Sequence, residues 1–388
     1  MATGNAASEA IRFSLEPVGD LSAIEELWRT LDARTGHSFF ASWTWLGTWL
    51  RMIPWDFTPQ LVRAEKGAQT IAAALLVPRR EKHGIGRVRQ FHFNSTGEDA
   101  FDCVTTEYTD FSGPGTNDPA LWPAFLEWFA EHANSDELIV PGVAAERIAG
   151  VPKSPRLLVS KRNVPAFRVC ALPSIVNAGI ETRLSRNARQ QLRRSIRDYE
   201  QFGALRIDEA ETVDKAQSYF TSLRELHIRS WTQRGKPHSF RHGFFEKFHR
   251  ALIGSGIPDG SIQMLRITAG DDAIGYLYNF RRGKRIYAYQ SGFDTRKRLR
   301  PGYVCHALAI AHNAARGAET YDFLAGDNRL KQSFADSHYV MSWCTYRQRK
   351  LRFQAEMIAW SAASRIAALR PAPSTPKVPA DDNSQRPA

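Results

Sequence analysis

The sequence predicts an α/β (α+β) protein of two tandem domains, each a mixed, mostly antiparallel sheet flanked by helices. Three observations lead there. At 388 residues the chain holds about two domains of roughly 100–200 residues each. Helix-period and strand-period patterns alternate along it. Both halves share a helix-then-meander plan, although no convincing sequence repeat relates them. The expected division is 1–175 and 176–352, followed by a helix over 353–370 and a Pro-rich, disordered tail over 371–388.

Each element follows from local pattern. In residues 22–34, Ile24, Leu27, Trp28 and Leu31 recur at helical spacing behind Asp20 as N-cap. Residues 42–52 repeat this with Trp45, Leu46, Trp49 and Leu50 behind Ser42. Residues 60–63 and 70–77 read as strands joined by a Lys66-Gly67 turn, 121–132 as a helix and 138–140 as a short strand. In the second half, 178–203 predicts a helix with Leu184, Ala188, Leu192, Ile196 and Tyr199 on one face. Arg183, Arg186, Arg189, Arg193, Arg194 and Arg197 fill the opposite face. A strand over 205–207 and helices over 213–230 and 243–253 follow. Residues 262–268, 273–280 and 285–292 form a three-stranded meander. A helix over 303–316, a strand over 320–324, a helical turn over 330–334 and a strand over 340–346 complete the fold.

Bulk properties narrow the class. The composition, 43% hydrophobic and 24% charged, is that of a globular protein, and the net charge of +12 favours anionic partners. Four cysteines with no CxxC pair argue against a disulfide framework, and Cys305 and Cys344 read as buried thiols. The N-terminus carries no secretory pattern, and no run of about 18 apolar residues suggests a membrane span, so the cytoplasm is the expected location. The sequence has no GKS/T P-loop, no GxGxxG after a strand, no GxSxG and no HExxH, which counts against NTPase, dehydrogenase, esterase and zinc-protease readings. His238 and His242 have a zinc-like spacing but no accompanying ligands, and no metal is expected.

Chemistry concentrates in residues 287–343. There a strand leads through a basic loop, with Arg298, Arg300, Pro301, Gly302 and Tyr303, into an apolar helix. Free N–H groups at a helix N-terminus bind phosphate, and Gly302 admits close approach. The same residues also suit a solvated basic loop. Asp322 lies inside a strand, where a partnered carboxylate can become a general base. Lys331 could neutralise an oxyanion or a phosphate, or merely pair with Asp327 at i,i+4. His227 and Trp231 share a helix face, with Arg229 and Arg234 nearby, and suit an acceptor side: a base and a platform for a sugar ring. Tyr276, Tyr278, Tyr287 and Tyr289 alternate on meander strands and suit either a sugar cleft or cross-strand packing. The Arg-rich helix could meet tRNA, a glycan phosphate or a membrane surface, or be a solvated face.

Several segments together resemble a family. LSRNARQQLRRS (184–195), LRELHIRSW (223–231) with QRGKP (233–237), YQSGFD (289–294), RPGYV (300–304) and YDFLAGDNRLKQSF (321–334) are similar to the GNAT-type domain of CelD/BcsL-like cellulose-biosynthesis proteins, relatives of FemAB-like peptidoglycan-bridge transferases. SFFASWTWLGTWL (38–50) is a weaker match. The sequence departs from the pattern where many relatives carry a Trp soon after the Lys of GDxxxK; Phe334 stands there. The resemblance implies two GNAT-like folds side by side and acyl transfer at the cleft. It gives Arg298, Arg300, Gly302, Tyr303 and Asp327 to an acetyl-CoA donor, and backbone amides of Gln290, Ser291 and Gly292 to its pantetheine. It leaves Asp322, His227 and Lys331 as catalytic candidates, and Trp231, Arg229 and Tyr289 on the acceptor side. The implied activity is acyl transfer to a saccharide, a cell-envelope or exopolysaccharide precursor, or a small metabolite. An aminoacyl-tRNA donor and a non-catalytic assembly protein are the alternatives.

Overall fold

The computed structural model describes residues 10–34, 38–83, 86–104, 106–152, 154–295 and 299–350. The predicted helix over 353–370, the tail over 371–388 and Arg298 lie outside the described residues.

The strands are β1 (Arg12–Pro17), β2 (Gln60–Lys66), β3 (Gln69–His83), β4 (Gly86–Phe93), β5 (Glu137–Ala144), β6 (Leu157–Val169), β7 (Leu205–Glu209), β8 (Ile262–Ala269), β9 (Asp272–Arg282), β10 (Arg285–Phe293), β11 (Thr320–Ala325) and β12 (Ser337–Gln348). The helices are α1 (Leu21–Asp32), α2 (Trp43–Met52), α3 (Asp99–Asp102), α4 (Leu121–His132), α5 (Arg186–Glu200), α6 (Val213–Gln233), α7 (Gly243–Gly256), α8 (Pro301–Ala315) and α9 (Arg329–Phe334).

Local chemistry sets the helix starts. The Asp20 carboxylate accepts from Ser22 N and the Ser42 hydroxyl from Trp45 N, as N-caps should. The basic helix begins later than its pattern suggested. Gly179 at φ +75° leads into a single 3₁₀ turn, and Ser185 caps α5 through Ala188 N. Leu184 therefore precedes the helix, while Ala188, Leu192 and Tyr199 are buried on it. Arg183 is no solvated charge: it bonds to Asp336 and to the Cys170 carbonyl. Arg186, Arg193, Arg194 and Arg197 are exposed.

All twelve strands join one sheet, in the order β1-β2-β3-β4-β5-β12-β6-β11-β10-β9-β8-β7. Inward from either edge, five strands follow in chain order. In each half the fourth and fifth pair in parallel, β4 with β5 and β10 with β11, while the meanders on either side are antiparallel. The two central strands are exchanged: β12 pairs with β5, and β6 with β11. This is a GNAT-like arrangement present twice, the fold the sequence predicts. We propose 1–175 and 176–352 as the two units of that duplication, each lending its last strand to the other. Sequence patterning missed β1, β4 and β6. β6 is largely exposed and shows no apolar alternation, and β4 carries two arginines among its first four residues.

One core is shared by the halves. Phe39 and Phe40 from the segment before α2, and Trp45 within it, pack on Phe280 and Tyr289 of the second meander. Phe39 and Phe280 stack at 4.3 Å between ring centroids. Burying each such ring contributes about 2–3 kcal/mol. Cys305 and Cys344 are buried free thiols.

Gly292, expected to contact the donor, has a packing role instead. Its β10 backbone lies so close to α6 that a Cβ would run into the Leu223 carbonyl, and it does not line the cavity described below. Gly292→Ala must push α6 off β10 and is expected to lower stability by about 1–3 kcal/mol, measurable as a shifted chemical-denaturation midpoint.

Candidate active site

β10 and β11 pair only from Arg285–Tyr287 to Thr320–Asp322. Beyond that point β10 stays on β9 while β11 follows β6, and the two strands splay. Backbone irregularities on both sides create the divergence. Tyr289 is an extra residue bulged out of the β9–β10 register, and the β11–β6 register slips between Asp322 and Ala325. Within that slip Leu324 adopts φ +63°, a strained left-handed conformation for a non-glycine residue.

The splay opens a cavity of about 880 Å³. One wall is Ala288–Ser291 and Phe293 of β10; the other is Phe323–Ala325 with the Gly326–Asn328 turn. Pro301, Gly302 and His306 of α8 close one side, Leu330 and Lys331 of α9 another, and the C-terminal turns of α6 a third. Among the described residues, the β10 edge beyond Tyr287 has no strand partner; Ser291 is held there by side chains, its N–H donating to Gln290 Oε1 and its carbonyl facing His227 Nδ1.

Of the residues singled out in the sequence, Gln290, Ser291, Gly302, Asp327, Lys331, His227, Trp231 and Tyr289 all line this cavity. His227 Nδ1 lies 3.1 Å from the Ser291 carbonyl, which can only accept, so Nδ1 carries the hydrogen. Burial lowers the imidazole pKa to about 4, leaving it neutral, and Nε2 is buried with no partner. The ring stacks on Trp231 at 5.3 Å. Lys331 does not form the alternative ion pair with Asp327. Its Nζ donates to the carbonyls of Ala325 (2.5 Å) and Leu324 (3.2 Å), while Asp327 accepts from Gln332. Burial lowers the Lys331 pKa, against the opposing pull of Glu107, Asp322 and Asp327.

Other residues fall elsewhere. Arg229 is exposed and off the cavity, because two residues past His227 is roughly 200° around a helix. Arg234, one helical face with His227, Ser230 and Trp231, takes that place: its guanidinium lies 5.3 Å over the Trp231 ring and bonds to Ser230. Arg300 is the exposed N-cap residue of α8, and the Tyr303 hydroxyl bonds to Ser333, so neither lines the cavity. Tyr276, Tyr278 and Tyr287 are core residues; of the four alternating tyrosines only Tyr289 reaches the cavity.

Asp322 is fully buried beneath the cavity rather than in its wall. Its carboxylate accepts from Tyr108 OH (2.5 Å), Tyr339 OH (2.6 Å) and Leu324 N (2.9 Å). Burial raises its pKa, and these three bonds with nearby Arg285 oppose the rise. Both oxygens are engaged and the group is buried off the cavity, out of contact with a ligand bound there.

Sequence reading missed Glu107, which enters the cavity from the other half of the chain. It is 6% exposed, and its Oε2 accepts from Ala325 N at 2.7 Å. Burial pushes its pKa up to about 7. No local pattern marks it, since its partner lies 218 positions away. Among the described residues no group of three or more His, Cys, Asp or Glu could hold a metal ion.

A splayed parallel pair with a bulged strand, a helix N-terminus at its mouth and a duplicated sheet defines the GNAT class of fold. Residues 186–332 match the family model described as an acetyltransferase (GNAT) domain. Two solved structures share the fold. FemX is 8% identical and superposes at a TM-score of 0.53 over 85% of this chain and 96% of its own. A conserved protein of unknown function from Bacteroides thetaiotaomicron is 11% identical, at 0.50 over 87% of this chain and all of its own. No curated protein matches the chain significantly.

Two outcomes test this geometry. Asp322→Ala strands two buried hydroxyls and one amide, and is expected to destabilise by about 3 kcal/mol or more in denaturant titration. Glu107 has a folded pKa above its unfolded value, so the stability it contributes is fully present below about pH 4.5 and is lost as pH rises through about 7. Relative to Glu107→Gln, the wild type should lose stability across that window, as read from melting temperatures at matched pH.

Proposed function

We propose that the protein is a GNAT-type acyltransferase that takes an acyl group, acetyl, from CoA and passes it to an amine or hydroxyl of a saccharide, a cell-envelope or exopolysaccharide precursor, or a small metabolite. The splay between β10 and β11 carries this reading, because it leaves one strand edge unpaired along a cavity long enough for an extended thioester arm. In this reading the arm pairs with β10 near Gln290 and Ser291, and the donor phosphates sit at the α8 N-terminus beside Gly302, with Arg300 at its N-cap. Lys331, beside the Ala325 carbonyl, stabilises negative charge on the thioester oxygen. His227 braces the Ser291 carbonyl and offers Nε2 to a hydrogen of the acceptor, and Trp231 with Arg234 forms a platform for it. The likeness of 184–334 to CelD/BcsL-like domains supports a saccharide acceptor. The cytoplasm is the proposed location; no helix among the described residues is long and apolar enough to cross a membrane.

An aminoacyl-tRNA donor is the second reading. The exposed Arg186, Arg193, Arg194 and Arg197 on α5 favour it, together with a fold shared with FemX.

Calorimetric titration with acetyl-CoA separates the two. Micromolar binding is expected, with turnover in Lys331→Ala lowered about 100-fold or more. No acetyl-CoA binding, with tRNA binding that weakens steeply as salt rises, would replace the first reading with the second.

A further inference from the structure

Glu107 lines the cavity, and the proposed reaction leaves it without a task. It is contributed by the first half of the chain, yet its carboxyl sits within the second half's cleft. The position is built. Its Oε2 grips Ala325 N, while Lys331 Nζ donates to the carbonyl of the same residue, so both side chains hold the main chain where β11 bends away. The next residue, Tyr108, is pinned by Asp322. Among the described residues no hydrogen bond holds Oε1, and no ion pair joins Glu107 to Lys331. The other groups around it are poorer proton acceptors. Asp322 is buried off the cavity with three donors on it, and Asp327 accepts from Gln332. His227 is pushed down to about 4 and His306 to about 3, and Lys331, Arg234 and the Tyr289 hydroxyl are proton donors. Glu107, raised to about 7, is matched to accept a proton near neutrality.

Resting on the acyl-CoA reading, we infer that Glu107 receives the ammonium group of an amine acceptor and takes its proton, making the enzyme an N-acyltransferase. A carboxylate held out of water attracts a cation far more strongly than a neutral hydroxyl, and an ammonium nitrogen must lose a proton before it can attack. One proton passes from the ammonium to Glu107. The C–N bond forms as the C–S bond breaks, the second proton reaches the leaving thiolate, and Glu107 returns its proton to solvent. The balance is one amide, one free thiol and one proton released.

The test uses the full chain, acetyl-CoA, and the smallest acceptors of each class, methylamine and methanol, with release of free CoA thiol as readout. Glu107→Gln keeps an acceptor for Ala325 N and is expected to bind acetyl-CoA as the wild type does. Its methylamine-dependent CoA release should fall about 100-fold or more. Wild-type kcat/KM for methylamine should rise with pH and level off above about 7, whereas the variant should rise without a plateau until the amine itself ionises. Methanol should release little CoA from either. Equal rates in wild type and variant, no methylamine turnover by a wild type that binds acetyl-CoA, or methanol serving as well as methylamine would each overturn the inference. Failure of the wild type to bind acetyl-CoA at all would overturn the donor reading, and the inference with it.

Discussion

One buried carboxylate holds the cleft together. Asp322 sits at the last paired position of β10 and β11, where the strands part. It accepts from Leu324 N, fixing the left-handed turn that sends β11 toward β6. It also accepts from Tyr108 OH, fixing the first-half segment that carries Glu107, and from Tyr339 OH on the exchanged strand β12. Losing any one donor would leave a polar group unpaired in the core, at a cost of about 1–3 kcal/mol. The strain at Leu324, of order 1–3 kcal/mol, persists because this network over-determines it.

Among the described residues, the duplicated sheet has a second counterpart of this cleft, and that one is filled. The first half has an equivalent parallel pair, Gln90–His92 with Glu137–Ile139, beyond which β4 and β5 would also splay. There the gap is filled by the chain itself. Thr109 N bonds to the Gly142 carbonyl, and the Asn94 side chain bonds to the Asp110 carbonyl, so the 109–110 segment lies between the ends of β4 and β5. Asp110 in turn is held by Trp122 and Arg147. The plug that closes one cleft is the segment whose preceding residues, Glu107 and Tyr108, furnish the other. Exchange of β6 and β12 reinforces this coupling, since each half's sheet is completed by a strand of the other.

Much of this was legible in the sequence where local pattern and physics agree. The helix caps at Asp20 and Ser42, the second-half meander and the apolar helix α8 follow from periodicity and turn chemistry alone. So does the grouping of His227 with Trp231, whose i,i+4 spacing puts them on one face. Arg229 was misplaced because nearness in sequence is not nearness on a helix; Arg234, seven residues on, shares the face. Asp322 was rightly suspected as a carboxylate needing partners inside a strand, but its partners, Tyr108 and Tyr339, come from distant segments. The same distance hid Glu107 and the exchanged strands, because pairing between remote segments leaves no trace in a local window.

Burial acts on the cavity's titratable groups in one direction, toward neutrality. It pushes the Glu107 carboxyl up and draws His227, His306 and Lys331 down. The shifts leave Glu107 and the two histidines less charged than they would be in water, beside Lys331, Arg234 and Asp327 in the same wall. Dipoles among such buried groups act with more force on charge that develops during reaction. Glu107 and Lys331 are the two groups best able to change charge there, and they grip opposite sides of one residue, Ala325, through its N–H and its carbonyl. A proton gained by one and negative charge met by the other would both be felt at the bend of β11. The geometry that opens the cleft and the chemistry proposed within it thus converge on the same stretch of main chain.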